Sequence, residues 1–386
     1  MHGSLGNELV IYPLIVASML LLAILMPARP ATSAESPAAN LVLVTLDGVR
    51  WQEVFGGIDL ELIEDERFAN SPVFLKETYW REQRHERRRL LFPFLWSVVA
   101  TQGVLIGDRE QESFMEVRNP WWFSYPGYNE ILTGSADPAI DSNDKVWNRN
   151  VTFLEVLNDM SDFKNHVLAF GSWDVFPYII NSQRSGIPVN AGFAVQSPAT
   201  TAKSLWLNEI SADSPMLWQT VRLDFITNGY AMEALENEHP RVVYIAYGET
   251  DDFAHDGSYD RYIDAAHRTD RMLSKLWKWL QTDTFYRGRT TLMISTDHGR
   301  GMTPDGWTQH DSGAGAENPE IEDAAAGVPG SDQIWFAAIG PHIKAKGIVS
   351  GHWKQSQIAA TALSSLQLDP AELMPRAGGP MGDLLQ

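Results

Sequence analysis

The sequence contains no cysteine among its 386 residues. This absence excludes disulfide bonds, thiolate metal ligands, a cysteine nucleophile and a lipid-modified N-terminal cysteine. Basic residues are also scarce, since 30 Lys and Arg stand against 49 Asp and Glu, for a formal net charge of −19. Binding of a nucleic-acid polymer is therefore not expected, because phosphate backbones favour basic surfaces. A small anionic substrate remains compatible with this charge if local cations face it.

The rest of the composition is that of a globular protein. Hydrophobic residues make up 44% of the chain and charged residues 20%, which excludes a disordered chain. The length suffices for one large or two modest domains with a buried core.

One long hydrophobic run lies near the N-terminus, at residues 10–26 (VIYPLIVASMLLLAILM), and small residues follow around Ala31 and Ala34. This pattern predicts a secretory signal peptide over residues 1–34 and a periplasmic or extracellular mature protein. No Lys or Arg precedes the run, and its length approaches the roughly 20 residues that span a bilayer. An uncleaved membrane anchor is therefore the alternative, and only in that case is membrane attachment expected.

Short apolar runs rich in β-branched and aromatic residues predict buried strands at 41–46 (LVLVTL), 242–247 (VVYIAY), 291–295 (TLMIS) and 334–339 (IWFAAI). Apolar residues recur with helical spacing at 260–280 and 355–366. Continuous apolar strands separated by helices predict an α/β fold with a mostly parallel sheet covered on both faces. Residues 148–240, rich in Trp, Pro and Asn, are interpreted as a cap insertion within a domain spanning 38–386.

Polar residues cluster where these strands end, the edge at which α/β proteins place their sites. Asp47 follows the first strand, Asp251 and His255 follow the second, and Asp297-His298 follows the third. Singly, each would more often be a turn, cap or core residue. The spacing of Asp251 and His255, however, places both on one face of a helical turn.

With His310 in a glycine-rich loop, these residues form a set of carboxylates and imidazoles only. Mixed oxygen and nitrogen ligands favour zinc, with manganese or iron as alternatives to it. Six ligands exceed one tetrahedral site and fit two metals with three protein ligands each. Two metals about 4 Å apart are typical of phosphoryl transfer.

A candidate nucleophile lies in the stretch WWFSYPGYNEILTG at residues 121–134. Ser124 precedes a Pro-Gly pair at the predicted start of a helix, where the helix dipole favours an anion. Taken alone, the stretch would be an ordinary capped turn.

Four motifs in order, LVLVTLDGVR, FSYPGYNEILTG, DDFAH and STDHG, resemble the alkaline phosphatase superfamily. The resemblance is closest to the branch of nucleotide pyrophosphatases/phosphodiesterases and extends from Leu41 to the end of the chain. It implies a three-layer αβα sandwich and a metal-dependent phosphoester hydrolase, either a phosphodiesterase or a phosphatase. Ser124 and Gly127 depart from the Thr and Asn that are more usual in that branch.

The resemblance also assigns the ligands. One metal would be bound by Asp47, Asp297, His298 and Ser124, and the other by Asp251, His255 and His310. His310 is preferred to His352 because it precedes the last predicted core strand, and Asp252 lacks the spacing to His255. Asn143 matches, a little closer to Ser124 than usual, an Asn that donates to a non-bridging phosphate oxygen.

The implied reaction has two displacements. Ser124 attacks phosphorus to form a phosphoserine, which water then hydrolyses with the help of the second metal.

Three other interpretations remain. A sulfatase of this superfamily needs C/S-x-P-x-R, but Tyr128 stands in place of the Arg. A phosphoglycerate-mutase-like or phosphonate-hydrolysing enzyme would share the metal site. A non-catalytic, metal-retaining binding protein is the alternative outside enzymes.

The following aromatic residues either line the substrate mouth or pack in the core: Trp121, Trp122, Trp173, Phe176 and Tyr178.

Overall fold

A mixed sheet forms the centre of the protein in the computed structural model, which describes residues 39–313 and 327–386. The strands are β1 (Asn40–Leu46), β2 (Val104–Ile106), β3 (Ser113–Glu116), β4 (Val167–Gly171), β5 (Val189–Ala191), β6 (Val242–Tyr247), β7 (Thr290–Ser295), β8 (Gln333–Ile334), β9 (Phe336–Ile339), β10 (Gly347–Ile348) and β11 (Gly351–Lys354). The central sheet has the order β10-β2-β9-β7-β1-β6-β4-β5, and only β9 runs antiparallel to its neighbours. A smaller sheet has the order β11-β3-β8.

Helices cover both faces of the central sheet. They are α1 (Trp51–Gly56), α2 (Leu60–Glu64), α3 (Pro72–Tyr79), α4 (Arg84–Leu91), α5 (Ala100–Gln102), α6 (Ser124–Thr133), α7 (Phe153–Asp159), α8 (Phe176–Ile179), α9 (Ser182–Ser185), α10 (Ala202–Asp213), α11 (Asp224–Asn237), α12 (Glu249–His255), α13 (Tyr259–Leu280), α14 (Ile358–Ser365) and α15 (Pro370–Leu373). A π-helical turn, Leu95–Val99, precedes α5.

The central strand β1 shows why its sequence is apolar throughout. Val42 and Val44 pack into one core with helices such as α11 and α13, whereas Leu41 and Leu43 pack into a second core with α6 and α14. Because successive side chains of a strand point to opposite faces, a strand between two helical layers must be apolar at every position. The predicted three-layer α/β fold is confirmed.

Strand order places the candidate site. β1 lies between β7 and β6 and is parallel to both. The carboxyl ends of the three strands therefore meet at one edge of the sheet, so the residues after them, Asp47, Asp297 and Asp251, are brought together.

The strands predicted at 41–46, 242–247 and 291–295 correspond to β1, β6 and β7, and the helix predicted at 260–280 corresponds to α13. The run 334–339 differs from its prediction, because it is divided between two sheets. Ile334 pairs with Met115 in the small sheet, and Phe336 pairs with Ile106 and Ser295 in the central sheet. Trp335, at the break, is buried and donates its indole N–H to the Val49 carbonyl. The helix predicted at 355–366 begins as a 3-10 turn, Gln355–Gln357, and continues as α14.

The segment 148–240, interpreted as a cap insertion, supplies β4 and β5 to the central sheet and packs α11 on its face. Whether part of it acts as a cap stays a prediction. The signal peptide or anchor predicted at 1–34 lies outside the described residues. Within the described ranges, no helix has the length and apolarity to cross a bilayer.

A buried carboxyl joins α13 to the π-helical turn and makes stability depend on pH. Asp270 accepts hydrogen bonds from the backbone N–H groups of Phe94 (2.7 Å) and Leu95 (3.0 Å). Burial raises the pKa of Asp270 from its ordinary value of 3.8 to about 7, although both hydrogen bonds act to lower it. Between these two pH values the folded protein keeps a proton that the unfolded chain has released, so this group's contribution to stability falls as pH rises.

We expect Asp270→Asn to remove this dependence. The free energy of unfolding of the wild type, minus that of the variant, should fall between about pH 4 and pH 7 by at most about 1.4 kcal/mol per unit and level off above that range. Urea denaturation in chelator at several pH values measures it, with the exposed Asp159→Asn as the control. Parallel curves for the wild type and Asp270→Asn would contradict the prediction.

Candidate active site

The first cluster of candidate ligands lies at the ends of β1 and β7. Nε2 of His298 lies 3.3 Å from Asp47 Oδ1, 3.3 Å from Asp297 Oδ2 and 3.4 Å from Ser124 Oγ. All four side chains are buried, and those of Asp297 and His298 are completely inaccessible. The cluster therefore joins a prospective nucleophile to two carboxylates and an imidazole.

Each carboxylate in this cluster is held by one oxygen and presents the other. Tyr128, four residues after Ser124 on α6, donates its hydroxyl to Asp47 Oδ2 at 2.8 Å. The backbone N–H of Gly48 donates to Asp297 Oδ1 at 3.2 Å. The remaining oxygens, Asp47 Oδ1 and Asp297 Oδ2, are buried without a hydrogen-bond partner. Buried carboxylate oxygens without a partner are costly, so the cluster calls for a cation.

The protonation of His298 fits the same conclusion. Its Nδ1 lies 2.9 Å from the Gly299 carbonyl oxygen, which can only accept, so Nδ1 carries a proton and Nε2 faces the carboxylates. Burial opposes the charged ring, but Asp297 and Asp47 raise the pKa of His298 to about 9. Burial together with the charges of neighbouring carboxylates raises the pKa values of Asp47 and Asp297. The carboxylates thus favour a positive charge at this position.

The second cluster joins α12 to the loop that contains His310. His255 Nε2 lies 3.2 Å from Asp251 Oδ2 and 3.0 Å from His310 Nε2. His310 Nδ1 lies 3.3 Å from the Trp122 carbonyl, to which it donates. Burial and the nearby His298 keep the pKa of His310 well below its usual value. The ring is therefore neutral, and its Nε2 lone pair faces the other two ligands.

The two clusters are adjacent. The rings of His298 and His310 stack with centroids 3.7 Å apart. Asp251 Oδ1 lies 3.8 Å from His298 Nε2 and 3.7 Å from His310 Nε2. Asp251 therefore lies at the border between the clusters.

The spacing within the clusters is that of a metal's ligands. A tetrahedral ion bound at 2.0–2.1 Å separates its ligand atoms by about 3.4 Å. The pairs described above lie at 3.3, 3.3, 3.2 and 3.0 Å. Both triads, Asp47-Asp297-His298 and Asp251-His255-His310, could hold a metal ion.

The helix that carries Asp251 and His255 is fixed at its beginning by a pair of buried acids. Asp224 accepts from the backbone N–H groups of Gly248 (2.8 Å) and Glu249 (3.2 Å). Glu249 in turn accepts from the Asp224 N–H at 2.7 Å and from Arg268 at 2.6 Å. This reciprocal bonding ties α12 to α11 and α13.

Ser124 begins α6, and its neighbour connects it to Asn143. The side-chain oxygen of Asn143 accepts from the Tyr125 N–H at 2.9 Å, and the Tyr125 hydroxyl donates to the Val146 carbonyl at 2.6 Å. The Asn143 amide group has no partner among the described residues. It is therefore held beside the nucleophile with its donors available.

The structure thus brings together all eight predicted site residues. Asp252 and His352 belong to neither cluster, and His352 stacks on Phe114 in the small sheet. Among the aromatic residues, Phe176 is core, because it is buried against Tyr128 and Tyr244.

Tyr128 and Arg300, whose side chains bond carboxylate oxygens of the clusters, were not predicted as site residues. Arg300 is buried and donates to Asp251. The sequence signal for Arg300 was its position in the heptapeptide STDHGRG. An arginine so close to two candidate ligands is expected to interact with the site. Tyr128 could have been found from its position one helical turn after Ser124.

Comparison with known proteins decides the family. A model of the family described as type I phosphodiesterase / nucleotide pyrophosphatase matches residues 111–317, more than half of the chain. The chain belongs to this family. The matched range contains every predicted site residue except Asp47. No curated protein matches the sequence.

Solved structures agree with this assignment at the level of the fold. The alkaline phosphatase PafA is 10% identical, with a TM-score of 0.57 over 91% of this chain and 100% of that one. The lipoteichoic acid synthase LtaP from Listeria monocytogenes is 11% identical, with a TM-score of 0.54 over 88% and 74%. BT1596, a 2-O GAG sulfatase, is 12% identical, with a TM-score of 0.52 over 89% and 73%. These structures show the predicted alkaline-phosphatase-like fold, and the family model confirms the predicted nucleotide pyrophosphatase/phosphodiesterase branch and supports a phosphoester hydrolase.

Gly127 stands where the branch more usually has Asn, and close packing accounts for the glycine. A methyl group on its Cα would overlap the Asp297 carbonyl oxygen, so α6 can lie against the loop after β7 only with glycine here. We expect Gly127→Ala to move Ser124 away from His298 and to lower phosphoester turnover by about 10²-fold, as small displacements of reacting groups do.

Turnover of p-nitrophenyl esters measures this effect. Gly382→Ala serves as the control, because nothing lies within 4 Å of a methyl group there. Wild-type turnover in a folded Gly127→Ala protein would contradict the prediction.

Proposed function

We propose that the protein hydrolyses small anionic phosphoesters through a phosphoserine at Ser124, with two bound divalent cations. The cations are zinc, with manganese as the alternative. The proposal depends on one observation. Two adjacent triads of ligand atoms lie at one edge of the sheet, and the buried hydroxyl of Ser124 lies beside the first of them. The family assignment limits the chemistry to phosphodiesters, pyrophosphates and related esters.

The residues fit the proposed cations. Asp47, Asp297 and His298 would hold one of them together with Ser124, and the orphaned oxygens of the two aspartates are available for it. Asp251, His255 and His310 would hold the other. When bound, such cations lower the pKa of a coordinated hydroxyl or water and stabilise negative charge on phosphate and leaving oxygens.

Ser124 is suited to nucleophilic attack by its position. It is buried at the first turn of α6, where the helix dipole favours the negative charge of its alkoxide and of a phosphoryl group. In the first displacement, Ser124 Oγ releases its proton to water and bonds to phosphorus while the P–O bond to the leaving group breaks, and the leaving oxygen gains a proton from water. In the second, water attacks the phosphoserine, the bond from phosphorus to Ser124 Oγ breaks and Oγ regains a proton, and the product is released as phosphate from a monoester or as a phosphomonoester from a diester.

Asn143 would bind the phosphoryl group. Its side chain is fixed through the Tyr125 N–H, so its free amide hydrogens can donate to a non-bridging oxygen without further ordering. Hydrogen-bond donors that are fixed in advance stabilise developing charge most effectively.

The basic side chains that follow Asn143 in the sequence are already paired with carboxylates. Lys145 lies 2.6 Å from Asp174, and Arg149 lies 2.9 Å from Asp137. The positive charge that attracts the phosphoester would therefore come from the bound cations, which accords with the net charge of −19.

The other interpretations are less well supported. Tyr128, which stands where a sulfatase needs arginine, is engaged with Asp47. A phosphoglycerate-mutase-like or phosphonate-hydrolysing enzyme shares the candidate ligands, and substrate comparison separates it. A non-catalytic binding protein would have no need of a serine beside the ligands. Export directed by residues 1–34, with a membrane-anchored form as the alternative, belongs to the same proposal.

The direct test compares hydrolysis of p-nitrophenyl phosphate and bis-p-nitrophenyl phosphate with zinc, with manganese and with chelator. We expect turnover of at least one ester, its loss in chelator and its return when metal is restored. The ratio of the two rates measures the preference between monoester and diester. Failure to hydrolyse either ester with both metals supplied would favour the binding protein.

Two variants separate nucleophile from ligand. Ser124→Ala should keep close to two metals per chain, because the triad Asp47-Asp297-His298 remains, and it should lose at least about 10³-fold in turnover, because the attacking oxygen is removed. Asp297→Ala should lose metal as well, because a ligand is removed. Elemental analysis and ester turnover measure both, and full metal occupancy in Asp297→Ala would refute its assigned role.

A further inference from the structure

Arg300 lies between the two clusters and is completely buried, which is unusual for a guanidinium group. Its Nη2 donates to Asp251 Oδ1 and to the Asp251 carbonyl at 3.1 Å, and its Nη1 donates to the Trp307 carbonyl at 3.3 Å. It follows His298 by two residues, so it connects the loop that bears ligands of the first cluster to the helix that bears ligands of the second.

This contact determines which oxygen of Asp251 is available. Arg300 occupies Oδ1, and Oδ2 faces His255 at 3.2 Å. Asp47 and Asp297 are held in the same manner, by Tyr128 and by the Gly48 N–H. Arg300 thus holds one oxygen of a carboxylate in the second cluster, as Tyr128 does in the first.

Without Arg300, Asp251 would have a competing partner. Its Oδ1 lies only 3.8 Å from His298 Nε2 in the first cluster. A carboxylate that is free to turn would be drawn towards that site and away from His255 and His310. The guanidinium group opposes this turn, because its Nη2 bonds both the carboxylate and the backbone carbonyl of Asp251 while its Nη1 is held by the Trp307 carbonyl.

We propose that Arg300 is a positioning residue for the second cation: it holds Asp251 by Oδ1 so that Oδ2 joins His255 and His310 in one ligand set. The inference rests on the proposed two-cation function. Removal of groups that orient a metal ligand typically weakens metal binding by about 10–100-fold.

The test is the zinc content and zinc affinity of Arg300→Met. Elemental analysis after dialysis against limiting zinc should give two ions per chain for the wild type and one for the variant. Zinc titration should show the second binding step weakened by about 10–100-fold, and excess zinc should restore part of the turnover. Arg300→Lys, which keeps the positive charge but loses the planar guanidinium group, should have an intermediate zinc affinity.

Two controls identify the cause. Arg222→Met removes another buried arginine, whose partners are Thr227 and the carbonyls of Asn190 and Ala194, and it should keep two ions. Tyr128→Phe should weaken binding in the first cluster. Circular dichroism in chelator establishes folding, and if Arg300→Met does not fold, Arg300→Lys decides.

The outcomes are distinct. A folded Arg300 variant that binds two ions with wild-type or tighter affinity overturns the inference, as does one that loses both ions. A wild-type protein that binds fewer than two ions under saturating zinc refutes the proposed function itself, and the inference with it.

Discussion

Three carboxylates, two of them buried and that of Asp251 partly exposed, converge at one edge of the central sheet, and their mutual repulsion is the constraint around which the candidate site is built. Asp47, Asp251 and Asp297 cannot keep their charges in a buried environment without compensation, because the cost of desolvating each ion is several kcal/mol. The protein meets part of this demand itself through Arg300 and the raised pKa of His298. Under the proposed function, two divalent cations would compensate the remaining negative charge.

The fold creates this convergence by topology. Because β7, β1 and β6 are parallel neighbours, Asp47, Asp251 and Asp297 leave the core side by side although they are far apart in sequence. The apolar strands fix the origins of the three loops, and local contacts then set the side chains. α12 is fixed by Asp224 and Glu249, and α6 is brought close by the absence of a side chain at Gly127.

These different origins explain how much the sequence could predict. β1, β6 and β7 were predictable because strands buried on both faces are apolar throughout, and Asp251 with His255 because helical spacing is regular. The division of 334–339 was not, because Ile334 and Phe336 are equally apolar and only distant strands separate them into two sheets. Sequence position could place Tyr128 and Arg300 near the ligands, but not their roles, because the carboxylate oxygen that each contacts is set by tertiary geometry.

Each of the three carboxylates is held through one oxygen, so only its other oxygen is available to an ion. A carboxylate with two free oxygens at the border of two clusters could bridge both, and adjacent ligands would then merge into one broad anionic site. Asp47, Asp297 and Asp251 each have one oxygen occupied by a hydroxyl, a backbone N–H or a guanidinium group. The available oxygens are thereby divided between two triads, one of them beside Ser124. Under the proposed two-cation function, separation of the ions would depend on hydrogen-bond donors that contact neither ion.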